Sequence, residues 1–338
     1  MTTTMRASFL MKQGELSIRE VAIPNLASDE VLVQVAAVGV CGSDVHYYQH
    51  GKIGPYVVDH PLILGHELSG TITAVGDGVD SSRIGQRVAV EPQRPCRNCE
   101  QCVAGQYNLC PNIEFYATPP IDGAFAEYVK IQSDFAFEIP KSVSFEAAAL
   151  IEPLSVCIWA AKRAEIKTGS RVLIAGAGPI GVIMAQVASA FGASEVIITD
   201  ITEDRRNFAL QYGATKAIDP RTENVEGLKV NAFVDASGVA QAVYSGIKAV
   251  GPAGHALLVG LGTDDMSLPV SHIQNNEIWV SGVFRYANTW PTGIELVASG
   301  KVNLDVLVTH TFGLNDVEDA LNAGKQPGSM KIIVKPGS

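Results

Sequence analysis

The sequence predicts an α/β protein in two parts: a mostly-β segment with irregular loops, and a doubly wound parallel sheet. Three observations carry this. The apolar run Val172-Leu-Ile-Ala175 leads straight into Gly176-Ala-Gly178-Pro179-Ile180-Gly181, a strand entering a glycine-rich turn and then a helix. After it, apolar strand-like runs alternate with helical periods up to about residue 283, the pattern of a parallel sheet with crossover helices. Before it, no long helical period occurs ahead of the alanine-rich stretch Phe145–Leu150, and Pro, Gly and short β-rich runs dominate.

The chain's 338 residues suffice for two domains with sizeable cores, and 47% hydrophobic and 18% charged residues describe an ordered globular protein. A net charge of −10 argues against nucleic acid or an anionic membrane as a partner. Met1–Gln13 holds no apolar run long enough for a signal peptide, so the expected location is cytoplasmic. Of the six cysteines, four lie between Cys96 and Cys110, which in a reducing compartment points to a metal site rather than disulfides.

The glycine turn is the strongest local signal. Gly176 allows the tight turn, Gly178 lets the backbone approach a pyrophosphate, and Gly181 lets helix and strand pack closely. The helix that opens with Pro179 and Ile180 offers free N–H groups to phosphates. A second apolar run, Val196–Thr199, ends on Asp200, whose carboxylate suits the ribose hydroxyls of NAD and disfavours a 2′-phosphate. Arg205 and Arg206 pull the other way; Arg205 is placed near the ribose or adenine, and Arg206 is read as a solvated helix residue. Two simpler readings compete. A membrane span over Val172–Ala193 is interrupted by glycines, a proline and Gln186. A βα unit that binds nothing explains the apolar helix face from Ile180 to Phe191 but not three glycines at this spacing.

In the first segment, Met5–Ile23 reads as an antiparallel pair turning at Gln13-Gly14, and Val31–Val40 as a strand entering a core. Three pieces carry chemistry: Cys41-Gly-Ser43-Asp-Val-His46-Tyr47, Gly65-His66-Glu67, and Cys96-x-x-Cys99-x-x-Cys102 with Cys110. Thiolate, imidazole and carboxylate are the ligand types Zn²⁺ takes. The four cysteines supply a closed tetrahedral set for a structural zinc, in a lobe (residues 90–111) poor in large apolar side chains. An iron–sulfur cluster or free thiols are the rival readings. Taken singly, Cys41 reads as buried filler and His66 as a satisfied histidine.

In order, Cys41-Gly-Ser-Asp, Gly65-His-Glu, the cysteine lobe, Glu152-Pro-Leu-Ser and the glycine turn resemble the zinc-dependent medium-chain dehydrogenases over nearly the full length. The resemblance is narrower to the polyol branch, the sorbitol and xylitol dehydrogenases. Cys41–Tyr47, Ala117-Thr-Pro-Pro120 with Asp122-Gly123, Ile151–Ser155 and Gly282–Trp290 carry it.

The resemblance implies a GroES-like catalytic domain (residues 1–153 and 284–338) into which an NAD-binding Rossmann domain (154–283) is inserted, with the active site between them. It implies a catalytic zinc on Cys41, His66 and Glu67, with Glu152 bound directly or through water; Cys157 is the rival ligand, and core filler its simpler reading. Ser43 and His46 match the family's proton relay, and Glu152 offers a second route. Tyr47, Phe115, Glu152, Arg285 and Tyr286 match substrate positions, and Val259-Gly260-Leu261 with Val283-Phe284-Arg285 match segments lining the nicotinamide. Zn²⁺ makes an alcohol acidic enough to lose its proton and pass a hydride to NAD. A pocket built for several hydroxyls rejects a simple alcohol.

The expected function is therefore oxidation of a secondary hydroxyl of a polyol such as sorbitol or xylitol to a ketose, by a homo-oligomeric (tetrameric or dimeric) enzyme with one structural and one catalytic zinc. The alternatives are another hydroxylated substrate (threonine, an aldose, a butanediol) or a silent nucleotide-binding protein. Further elements are expected as strands at Val230–Asp235, Ala256–Leu261, Val306–Thr311 and Lys331–Val334. Helices are expected at Gln241–Val250, Pro291–Ser299 and Asn315–Ala323, and an edge strand near Ile278–Phe284 is a candidate subunit contact. His255 and His272 are expected to be structural.

Overall fold

The computed structural model describes residues 3–337, which fall into two units: Met1–Glu152, Trp290–Ala298 and Leu304–Ser338 form the first, and Pro153–Thr289 with Ser299–Asn303 the second. Residues 284–289 thus stay with the second unit. The chain crosses back at Trp290, later than the expected return at 284, and dips into the second unit once more at Ser299–Asn303.

The first unit is built on the strand Glu30–Gly39. One side of it pairs antiparallel with Glu67–Val75. Tyr128–Gln132 pairs with its first half, and its last residues, Val38 and Gly39, pair with Val334 and Ile333 of the strand Lys331–Lys335. Alternation along the strand sends Val31, Val33 and Val35 into a core with Leu68, Ile72, Val88, Val90 and Phe125. The expected hairpin forms as Thr4–Lys12 and Glu15–Ala22, turning through Gly14, whose φ of +73° suits glycine. The cysteine lobe is pinned to this sheet by the buried carboxylate of Glu30, which pairs with Arg94 at the lobe's base and with Lys130 at 3.1 Å.

One element escaped the sequence reading: Gly42–His50 is a helix that carries Ser43, His46 and Tyr47. Only Asp44 and Tyr47 of it are buried, so no apolar stripe marks it. It starts instead from a cap, the Asp44 carboxylate accepting the backbone N–H of Cys41 at 2.9 Å.

The second unit is a six-stranded parallel sheet in the order Lys216–Ile218, Glu195–Thr199, Arg171–Ala175, Val230–Asp235, Val250–Leu258, Trp279–Gly282. That 3-2-1-4-5-6 order is the dinucleotide-binding arrangement, with its switch point at Arg171–Ala175. The helix Pro179–Ala190 is buried along most of its length, and Ala240–Ala249 packs Val243 and Ile247 against Phe233. The strand expected at Ala256–Leu261 runs earlier, Val250–Leu258: the N–H groups of Val259 and Gly260 both turn to the Asp235 carbonyl at 3.0 Å, and Leu261 is exposed. His272 bonds the Val250 carbonyl at 3.0 Å, and His255 lies 3.8 Å from Glu165. The expected tail elements form as Trp290–Ala298, Val308–Gly313, Val317–Ala323 and Lys331–Lys335.

Candidate metal centres and cofactor cleft

Cys41, His66 and Glu67 meet because two adjacent strands end together. Gly39 stands opposite Glu67 in the ladder, so the chain leaving Gly39 carries Cys41 past the chain entering at His66. One donor atom from each of the three lies within 4.8 Å of the others, and His66 and Glu67 are buried. Sulfur, nitrogen and oxygen gathered at this separation fit a zinc ion, and three protein donors leave a coordination position open.

Two residues that the sequence reading passed over hold this trio. Asp44 is fully buried. One of its oxygens accepts the Cys41 N–H, and the other accepts the Gly65 N–H at 2.9 Å and lies 3.7 Å from His66 Nδ1. It thereby ties the cysteine loop to the histidine loop. Burial pulls the His66 imidazole's pKa down, but the Cys41 thiol and Asp44 more than offset this and hold it well above its ordinary value. Lys331 reaches in from the far side of the central strand. Its Nζ donates to the Val40 carbonyl at 2.9 Å and to Glu67 Oε1 at 2.7 Å, and it lies 2.5 Å from Oε2. Burial lowers the Lys331 pKa, and the Glu67 and Cys41 charges raise it above the ordinary value. A Cβ at position 39 would lie 2.1 Å from Glu67 Oε2, so only glycine leaves that carboxylate where it stands. Spacing hinted at Asp44, three residues after a helix cap; no local signal marks Lys331, which depends on strand pairing.

Glu152 is not among the donors that all lie within 4.8 Å of one another. It is buried at the second position of the helix Ile151–Arg163, and its charge acts on Lys331 and on Glu91. Cys157 is buried in the same helix with its thiol donating to the Ile180 carbonyl at 3.5 Å, as core filler would. On the helix Gly42–His50, Tyr47 is buried, Ser43 half-buried and His46 exposed, its ring 4.5 Å from that of His50. Phe115 sets its ring 5.4 Å from His66 and so borders the trio. In the second unit, the Arg285 guanidinium lies over Phe284 at 4.7 Å, and Tyr286 exposes no surface to a ligand.

The thiols of Cys96, Cys99, Cys102 and Cys110 also lie within 4.8 Å of one another, and Cys96 Sγ is 4.0 Å from Cys102 Sγ. Zn–S bonds near 2.3 Å in a tetrahedron place sulfurs about 3.8 Å apart, so the lobe fits a single ion. Backbone donors from Asn98 and Cys99 push the Cys96 thiol down to about 6, readying it as a thiolate. None of the six cysteines is in a disulfide.

The cofactor cleft lies in the second unit, a cavity of about 720 Å³ lined among others by Gly176, Gly178, Asp200 and Arg205. Gly176 has φ +95°, and a Cβ on Gly181 would lie 1.8 Å from the Gly176 carbonyl oxygen. A Cβ on Gly178 would enter open space beside the helix start at Pro179 and Ile180. The Asp200 carboxylate is fixed by the N–H groups of Ala177 at 2.9 Å and Thr202 at 2.8 Å. Arg206 is not the solvated residue expected: its side chain is 17% exposed and donates to the Asp200 carbonyl at 2.7 Å. Val259, Gly260 and Leu261 follow the end of the strand Val250–Leu258, and Val283, whose N–H bonds the Leu258 carbonyl at 3.0 Å, leads to Phe284 and Arg285.

Residues 27–141 match the alcohol dehydrogenase GroES-like domain, and residues 179–299 match the zinc-binding dehydrogenase domain. The chain is 44% identical over 343 residues to the sorbitol dehydrogenase of Bacillus subtilis (strain 168), covering 98% of this chain and 97% of that protein. It is 38% identical to a probable D-xylulose reductase A of Aspergillus clavatus, covering 98% and 97% of the two chains. The crystal structure of L-idonate 5-dehydrogenase from Escherichia coli superposes with a TM-score of 0.94 at 26% identity, covering 99% of each chain. With its GroES-like first domain, its parallel-sheet second domain and its two donor clusters, the chain belongs to the zinc-binding dehydrogenases and is an NAD-dependent oxidoreductase of that family.

Proposed function

We propose that the protein is a zinc-dependent polyol dehydrogenase that moves a hydride from a secondary hydroxyl of sorbitol, xylitol or a similar polyol to NAD and yields a ketose. The observation that carries this is the contrast between the two donor clusters. The four thiols close a tetrahedral shell, whereas Cys41, His66 and Glu67 leave a position open to a ligand. Zinc held there supplies the Lewis acidity that lets an alcohol lose its proton near neutral pH.

The rest falls to side chains. Cys41, His66 and Glu67 hold the ion, and Glu152 serves it directly or through water. Ser43 and His46 lead the proton outward, His46 being exposed. Tyr47, Glu152 and Arg285 satisfy the other hydroxyls and Phe115 forms an apolar wall, so a simple alcohol leaves polar groups unpaired; Tyr286, expected in this set, is fully buried and meets no ligand. Gly176, Gly178, Pro179, Ile180 and Gly181 cradle the pyrophosphate and Asp200 the adenosine ribose. Val259, Gly260, Leu261, Val283, Phe284 and Arg285 line the nicotinamide. The names of the relatives, a sorbitol dehydrogenase and a D-xylulose reductase, favour polyols over other alcohols.

Initial rates with NAD on sorbitol, xylitol, threonine, an aldose, 2,3-butanediol and ethanol test the reading. Sorbitol or xylitol should lead by at least tenfold in kcat/KM. A severalfold lead for threonine, butanediol or ethanol would overturn the pocket assignment.

The protein is also assigned a homo-oligomeric state, dimer or tetramer, on the strand Trp279–Gly282. It is one of the two edge strands of its sheet, with Trp279 69% exposed. A cytoplasmic location is assigned on cysteines gathered as metal donors with none in a disulfide. Among the described residues no helix is long and apolar enough to cross a membrane.

A further inference from the structure

Two aspartates stand side by side at the mouth of the cofactor cleft. In the parallel ladder Thr199 is opposite Ile218, so the next residues, Asp200 and Asp219, leave their strands abreast. Asp200 spends its carboxylate on the glycine turn and its own loop, as described above. Asp219 gathers arginines. Arg221 Nε donates to its Oδ1 at 2.9 Å and Arg221 Nη2 to its Oδ2 at 2.6 Å, while Arg206 Nη1 reaches the same Oδ2 at 3.4 Å.

Both guanidiniums also touch the backbone at Asp200. Arg206 Nη1 donates to the Asp200 carbonyl at 2.7 Å, and Arg221 Nη2 to the Ile201 carbonyl at 2.9 Å. Two positive charges therefore sit within a residue of the acid that meets the adenosine ribose. Arg221 and Arg205 line the same cavity. Arg205 is thus a third cation at the cleft. A cluster of arginines is what a 2′-phosphate needs. Here the counter-charge of Asp219 occupies two of the three.

We infer that Asp219 is a specificity-determining residue for the cofactor: by holding Arg221 and Arg206 it keeps the ribose rim from becoming a 2′-phosphate site and so favours NAD over NADP. The inference rests on the reading of this cavity as the adenosine end of the NAD site. It adds a residue one strand away from the acid that sequence reasoning assigns to that choice.

The test is fluorescence titration of the full-length protein with NADH and NADPH, in the wild type, Asp219→Asn, Asp219→Glu, and Asp219→Asn combined with Arg221→Ala. Removing the carboxylate should shift the NADPH-to-NADH affinity ratio at least tenfold toward NADPH. Asp219→Glu, which keeps the charge, should retain the wild-type ratio, and the added Arg221→Ala should reverse most of the gain. A ratio unmoved in Asp219→Asn would overturn the inference. So would equal loss of both nucleotides, which would assign Asp219 to the fold alone. Failure of the wild type to bind NADH or 5′-AMP would instead overturn the underlying reading of the cavity.

Discussion

Lys331 and Glu67 form a buried ion pair across the central strand of the first unit, with 6% and 1% of their side chains exposed and Nζ 2.5 Å from Oε2. Removing one partner of such a pair leaves an uncompensated charge in a poorly solvating interior, at a cost of about 3–5 kcal/mol. Lys331→Met should lose that much in urea unfolding of the metal-free protein, and the double variant with Glu67→Gln should recover most of it. A loss below about 1 kcal/mol would mean that water reaches the pair.

Gly39 makes room for that pair. Gly39→Ala places a methyl group 2.1 Å from Glu67 Oε2, so the carboxylate has to swing away. We expect a stability loss of about 1–3 kcal/mol. Divalent-ion retention at the Cys41 site after dialysis against chelator should fall at least tenfold, measured as metal per chain, while the cysteine lobe keeps its own ion. Unchanged metal content would show that Glu67 is dispensable as a donor.

The cysteine lobe should depend on its ion. Large apolar side chains are scarce between Cys96 and Cys110, and Val103 and Leu109 are exposed. Stripping the metal, or Cys99→Ser, should open residues 97–109 to limited proteolysis before the rest of the chain is cut. Equal resistance with and without chelator would count against a structural metal.

Glu91 makes stability fall as the pH rises. Burial pushes its carboxyl up from 4.5 to about 7, and Asp134 and Glu152 add to the effect. Hydrogen bonds from Gln93 at 2.6 Å and Tyr107 at 2.9 Å only partly oppose it. The folded state therefore holds a proton that the unfolded state releases above 4.5, and the stability gained by holding it is lost between pH 4.5 and 7. The difference is about 3 kcal/mol. Glu91→Gln should flatten that part of the pH dependence and be the more stable protein at pH 8. An unaltered pH–stability curve would refute the assignment.

Trp279→Asp should break the subunit contact proposed on the exposed edge strand. Sedimentation velocity should then show a smaller species, with NADH binding retained in each subunit. No change in sedimentation would move the subunit contact elsewhere.

The parallel sheet was legible because its signals are local. The strand before Gly176, the turn itself and the acid at 200 follow one another in sequence, and the structure realises each where it was expected. The helix Gly42–His50 was not legible, because its start is fixed by Asp44 capping Cys41 and not by an apolar stripe. The donors of the metal centre are named by the family resemblance, since Cys41 and His66 taken singly read as filler and as a satisfied histidine. What holds them could not be named: Asp44 bonds across 21 positions to Gly65, and Lys331 across 264 to Glu67. Such contacts arise from strand order, which no window of neighbouring residues encodes. The solvated reading of Arg206 failed in part for the same reason, since Asp219, one of its partners, lies just past the end of the neighbouring strand.

The span between Glu67 and Lys331 also orders events during synthesis. The four cysteines lie within 14 residues of one another, so the lobe can capture its ion while the chain is still emerging from the ribosome. The other centre has to wait for the strand Lys331–Lys335 to dock, because until then Glu67 lacks its counter-charge. A nascent chain stalled before residue 331 would carry a filled lobe and a reactive site still unable to hold its geometry.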